Sequence, residues 1–81
     1  MQVKIQDFKF VPATITVKVG TTVVWTNLDS AAHTVSGDDT SFQSSNLEKG
    51  DTYSYTFTKP GKYPYVCAFH DSMTALVIVT P

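Results

Sequence analysis

"TYSYTFTKPGKYPYVC" (residues 52–67) decides the fold. Tyr53, Tyr55 and Phe57 alternate with Thr52, Ser54 and Thr56, the period of two that puts one face of a strand on a core and the other in water. Lys59-Pro60-Gly61 then reads as a turn, because proline presets one backbone angle and glycine accepts conformations other residues avoid. "KYPYVC" (62–67) follows as a second strand ending on a cysteine. Pro64 has no N–H for a ladder, so this strand is expected to lie at an edge or carry a bulge there.

The same pattern extends outward. "VKIQDF" (3–8), "TITVKV" (14–19), "TVVWTN" (22–27), "HTVS" (33–36) and "ALVIVT" (75–80) are strand candidates. Turn signals separate them at Val11-Pro12, Gly20, Leu28-Asp29-Ser30, Ser36-Gly37-Asp38-Asp39 and Lys49-Gly50-Asp51. No window carries a helical stripe, and "SFQSSNLEKG" (41–50) reads as loop. Seven or eight short strands with a turn about every ten residues indicate an all-β, two-sheet Greek-key sandwich. The core candidates are Phe8, Val17, Val19, Trp25, Tyr53, Tyr55 or Phe57, Tyr65, Leu76 and Ile78.

Residues 1–81 form a single domain near the lower size limit for one apolar core. Apolar content of 42% and charged content of 16% belong to a globular chain. A net charge of −1 leaves no basic stripe for nucleic acid. No apolar run approaches a membrane span, and Lys4 and Asp7 interrupt the N-terminus where a signal peptide would need an apolar stretch. With Cys67 alone, no internal disulfide forms, so a metal remains the available staple.

Cys67, His70 and Met73, the only cysteine, one of two histidines and the only internal methionine, fall within seven positions. That spacing places three side chains in one tight loop, if Cys67 ends a strand and Leu76 starts the next. His33 follows the turn "NLDSAA" and can reach the same end of a sandwich. One thiolate, two imidazoles and one thioether suit a thiophilic ion that must be tolerated in two oxidation states; two nitrogens and a thiolate with a weak axial methionine form the blue-copper arrangement. Zinc is the rival metal for Cys67, His33 and His70, with Met73 then idle.

"VVWTNLDSAAHTV" (23–35), "DTYSYTFTKPGKYPYVC" (51–67) and "HDSM" (70–73) resemble the small blue copper proteins, the cupredoxins of the plastocyanin and amicyanin group. The short Cys-x2-His-x2-Met loop is similar to that of amicyanin. The resemblance implies that His33, Cys67 and His70 are equatorial copper ligands and Met73 the axial one. It implies a monomeric one-electron carrier rather than an enzyme, meeting redox protein partners transiently near His70. The apolar patch expected there comprises Ala31, Ala32, Phe69 and Pro12. It further implies a periplasmic or extracellular location. A copper carrier or store, or a cupredoxin domain cut from a larger copper enzyme, are the alternatives. The chain departs from many relatives in carrying Asp71 after the loop histidine, a negative charge beside it, and Ala75 where glycine is common.

Singly, each of these residues has a plainer reading. A lone cysteine or methionine is usually core filler, and a lone histidine a satisfied strand residue. Trp25 reads as core rather than as a redox relay. The Asp38-Asp39 pair reads as a solvated turn. Asn27 caps "LDS" or, as the resemblance implies, ties the two ligand loops together. The Thr34 N–H is expected to point at the Cys67 sulfur, where it would stabilise a thiolate.

Overall fold

The computed structural model describes residues 1–81, apart from the side chain of Asp71. Eight strands follow in chain order: β1 (Gln2–Gln6), β2 (Lys9–Val11), β3 (Thr14–Lys18), β4 (Thr22–Asn27), β5 (Ser36–Gly37), β6 (Thr52–Thr56), β7 (Gly61–Cys67) and β8 (His70–Thr80). They form two four-stranded sheets, ordered β2-β1-β4-β6 and β3-β8-β7-β5. Both are mixed: β1 runs parallel to β4 and β3 parallel to β8, while the remaining pairs are antiparallel. This is the sandwich expected from the alternation.

Alternation explains which face each strand buries. Val3 and Ile5 of β1, Ile15 and Val17 of β3 and Val23 and Trp25 of β4 point inward, with polar or charged neighbours outward except for the half-buried Val24. In β6, Tyr53 and Tyr55 face Trp25 and Val23 across the ladder but lie only half-buried, because β6 is an edge strand. Phe57, just beyond it, is the fully buried aromatic of that run.

Four expectations about the core are corrected. Phe8 and Val19 are exposed, since both sit at turns rather than within strands. In the apolar run of β8 the buried residues are Val77 and Val79, with Leu76 and Ile78 half-exposed. An uninterrupted apolar run such as Ala75–Val79 carries no alternation from which to tell its inner face.

The run 3–8 is not one strand. Gln6 pairs with Lys9, so Asp7 and Phe8 are the two residues of a tight hairpin loop. Their φ angles are 55° and 57°. Two positive angles in a two-residue loop define the turn that matches strand twist, usually built from Asn-Gly or Asp-Gly. A phenylalanine in the left-handed region costs about 1–3 kcal/mol and persists only where its surroundings hold it.

"HTVS" makes a bridge at His33 and a two-residue strand at Ser36–Gly37, rather than a strand over 33–36. His33 and Leu47 exchange backbone hydrogen bonds of 3.1 and 2.8 Å. Residues 38–50 thereby form a strap over the open flank between β5 and β6. Phe42, which lies in the polar loop read at 41–50, turns inward and stacks on Trp25 and Tyr55. Pro64 lies just past the two residues of β7 that β5 covers, so no ladder partner is lost; the bulge is further on, between Val66 and Cys67.

Candidate metal centre

β7 ends at Cys67 and β8 begins at His70, with Cys67 and His70 paired and Ala68-Phe69 forming the turn. The ligand segment is therefore a strand-to-strand turn and not a loop reaching to Leu76. Ladder geometry fixes both Cys67 and His70, which is more rigid than a loop would be. His33 arrives from the other direction, on the crossover from β4 in one sheet to β5 in the other.

These approaches bring the donors together. Cys67 Sγ lies 3.6 Å from His33 Nδ1 and 3.8 Å from His70 Nδ1. One donor atom from each residue falls within 4.8 Å of the other two. An ion about 2.3 Å from sulfur and about 2.05 Å from nitrogen, in a trigonal plane, requires a sulfur–nitrogen edge of roughly 3.8 Å. The observed edges match that. Cys67 and His33 are fully buried and His70 half-buried. Met73 is buried in the apolar core three residues along β8, next to Thr74, which pairs with Val66.

Proton bookkeeping supports the same conclusion. Asp29 Oδ2 lies 2.8 Å from His33 Nε2. Burial works against the charged Asp29 carboxylate, but hydrogen bonds from the Phe8 N–H, His33 and the Asp7 N–H outweigh it and hold its pKa below the ordinary value. An ionised carboxylate can only accept, so neutral His33 carries its proton on Nε2. Its Nδ1 lone pair then faces the Cys67 sulfur. A lone pair and a sulfur aimed at one another in a dry interior suit a cation between them.

Sequence reasoning missed Asp29. In the sequence it looks like part of a turn, and its signal is a carboxylate four residues before a candidate ligand. The Asp7 and Phe8 amides also donate to it, at 2.8 and 2.9 Å. Thr34 behaves as expected: its N–H points at Cys67 Sγ, 3.5 Å away. Its hydroxyl also accepts from the Ala68 N–H at 2.8 Å, so Thr34 ties the two ligand segments together. Asn27 caps the "LDS" turn, the first of its two expected roles, and does more besides. Its Nδ2 donates to the Ala31 and Leu47 carbonyls, and its Oδ1 accepts from the Asp29 N–H, which braces the His33 crossover against the strap. The charge expected from Asp71 lies outside the described residues.

Phe69, in the turn before His70, is 51% exposed, and Ala31 and Ala32 are half-buried. Among the described residues no helix is long and apolar enough to cross a membrane.

Comparison with known proteins agrees with this geometry. The cupredoxin-like domain family model matches residues 1–79. Amicyanin-alpha of Methylorubrum extorquens is 34% identical over 83 residues, covering 96% of this chain and 70% of the relative. The chain spans 48–70% of the length of four curated relatives that it matches. Among solved structures, the reduced Cu(I) form at pH 4 of an amicyanin variant superposes with a TM-score of 0.93 at 32% identity, over 99% of this chain and 81% of that one. A copper-containing nitrite reductase from Thermus scotoductus gives 0.93 at 30% identity, but only 22% of that chain is covered.

Proposed function

The chain belongs to the cupredoxin-like family, and from that premise we propose that it carries single electrons on one copper ion held by His33, Cys67, His70 and Met73. The observation that supports this most directly is the convergence of Cys67 Sγ on two imidazole Nδ1 atoms at 3.6 and 3.8 Å. Copper bound there supplies a one-electron couple between Cu(I) and Cu(II).

The protein's own residues make that couple usable. Cys67, Thr34 and Ala68 form a rigid corner in which the sulfur accepts a backbone N–H, so a thiolate is stabilised without water. Asp29 holds His33 in the tautomer that presents Nδ1. His70 is the ligand with a solvent-facing edge, so it is the port for electrons. Phe69, Ala31, Ala32 and Pro12 supply an apolar rim for brief encounters with redox proteins, which need only small interfaces. On this reading the protein is a monomeric carrier outside the cytoplasm and performs no catalysis of its own.

Cu(II) loading tests the reading. It should give intense visible absorption from thiolate-to-copper charge transfer, and Cys67→Ser should abolish it. A strong band that survives in Cys67→Ser would rule the assignment out. The match to part of a nitrite reductase favours a second reading, a domain of a larger copper enzyme. The size of the native protein in source extracts, probed with an antibody to this domain, separates the two.

A further inference from the structure

The Asp7-Phe8 turn is built in an unfavourable conformation and then held. Both residues have positive φ, and Phe8 pays for it with a Cβ that glycine would lack. Asp29 is what holds them: Oδ1 accepts the Asp7 N–H and Oδ2 the Phe8 N–H, and Oδ2 also accepts His33 Nε2–H. One carboxylate thus fixes the buried imidazole and the turn together.

The outcome of this arrangement is the place of the Phe8 ring. Its centroid lies 5.0 Å from that of His33 and 4.9 Å from that of His70, at interplanar angles of 89° and 90°. The two imidazole centroids are 5.3 Å apart, so the three rings make a nearly equilateral triangle. Phe8 remains 47% exposed. Core packing does not account for it, because Phe10 is the aromatic that this hairpin buries. The two histidines are also held unequally. His33 has Asp29 behind it, whereas among the described residues the ring nitrogens of His70 meet only Cys67. Phe8 supplies the brace that His70 otherwise lacks.

We propose that Phe8 is a positioning residue of the metal site: its ring braces His70 toward Cys67 and bars small anions and chelators from that side, and Asp29 locks it in place. This rests on the metal reading above and adds control of ligand exchange to it. The closing of the site is then a property of the first hairpin, far in sequence from Cys67.

Phe8→Gly gives a clean test. Glycine adopts positive φ freely and Asp-Gly is a preferred pair in this turn, so the backbone is kept while the ring is lost. Wild type and variant would be loaded with Zn(II) or Cu(I), mixed with excess chelator, and followed for metal release. His70 ring protons would be recorded by NMR in both metal-free proteins, with thermal unfolding of each. The expected result is unchanged or higher stability, His70 protons displaced by loss of the phenyl ring current, and release about tenfold faster, the scale that one or two edge-to-face aromatic contacts support. Asp29→Ala should also speed release. Equal release rates in two metal-binding proteins would overturn the proposal, as would His70 signals that do not move. A wild type that binds neither metal would instead refute the metal reading, and the NMR comparison would still decide whether Phe8 braces His70. Should Phe8→Gly fail to fold, Phe8→Asn, tolerant of the same φ, gives the same comparison.

Discussion

Trp25 and Tyr65 meet across the middle of the sandwich, the indole Nε1–H of one sheet donating to the hydroxyl of the other at 3.1 Å. Both side chains are fully buried, and their rings meet edge to face at 5.6 Å. The bond lets two amphipathic aromatics lie in an apolar core with no polar atom unpaired. Burial pushes the Tyr65 hydroxyl up to about 12 from its ordinary 10.0, partly offset by the Trp25 hydrogen bond.

That shift predicts alkaline instability. Unfolded Tyr65 ionises near pH 10 while folded Tyr65 stays neutral to about 12. Its contribution is fully present below pH 10 and is lost as pH rises toward 12, in all about 2–3 kcal/mol. Denaturant unfolding of the metal-free protein at pH 8, 10 and 11 should show the decline. Tyr65→Phe should be less stable at pH 8, by about 1–3 kcal/mol for an unpaired indole N–H, yet decline less with pH. Parallel pH profiles for the two proteins would contradict this.

Gly37 is needed for space. A Cβ there would come within 2.9 Å of the Phe42 ring and 3.1 Å of the Phe42 carbonyl oxygen. Gly37→Ala should therefore lever the strap outward and cost about 1–3 kcal/mol, and Phe42→Ala about 3–5 kcal/mol through the cavity it leaves. Combining them should cost less than the sum, because Phe42→Ala removes the ring, the nearer of the two obstacles that Gly37→Ala meets. Additive losses would show that the ring is not what constrains Gly37.

Metal should stabilise the folded chain strongly, because the donors converge only when both ligand segments are in place. At a free concentration a thousand times Kd the gain is about 4 kcal/mol. For a domain of this size that raises the melting temperature by well over ten degrees, at roughly 4–8 °C per kcal/mol. Melting curves that coincide with and without Cu(II) would count against the site.

Met73 is expected to set the reduction potential. Met73→Leu keeps the volume, so the fold should lose less than about 1.5 kcal/mol. Loss of a weak donor to Cu(II) should raise the potential, and Met73→Gln, a harder oxygen donor, should lower it. Each tenfold change in relative affinity for the two oxidation states moves the potential by about 59 mV. Voltammetry with no change in either variant would leave Met73 as core filler.

Period-two alternation indicates both sheets, and the clustering of rare residues singles out Cys67, His70 and His33, whose donor atoms the fold brings within 4.8 Å of one another. What escaped the sequence had physical reasons. The Asp7-Phe8 turn lacks the glycine or asparagine that usually marks positive φ, so the alternation of residues 3–8 runs on through a turn that separates two strands. In "ALVIVT" both faces are apolar, which left the choice between Val77 and Ile78 open to error. Phe42 was the lone aromatic of a polar stretch, and that isolation was the available hint that it plugs the core. Asp29 acts through three hydrogen bonds, two to the distant Asp7-Phe8 turn and one to His33 four residues on, a role visible only once β1 and β4 lie side by side.

β8 lies between β3 and β7, so residues 76–80 pair with residues 14–18. A pairing that spans nearly the whole chain is slow to form, with folding on the millisecond to second scale expected for such non-local sheets. His70 and Met73 ride on β8, and Cys67 meets His70 across a local two-residue turn, but His33 arrives from a crossover distant in sequence. An ion is therefore expected to find its full set of donors only once the non-local pairings are in place, and to be a poor early template for assembly. Zn(II) should leave the refolding rate of the chain nearly unchanged and slow its unfolding. Stopped-flow traces in which Zn(II) accelerates refolding would place the ligand turn in the folding nucleus instead.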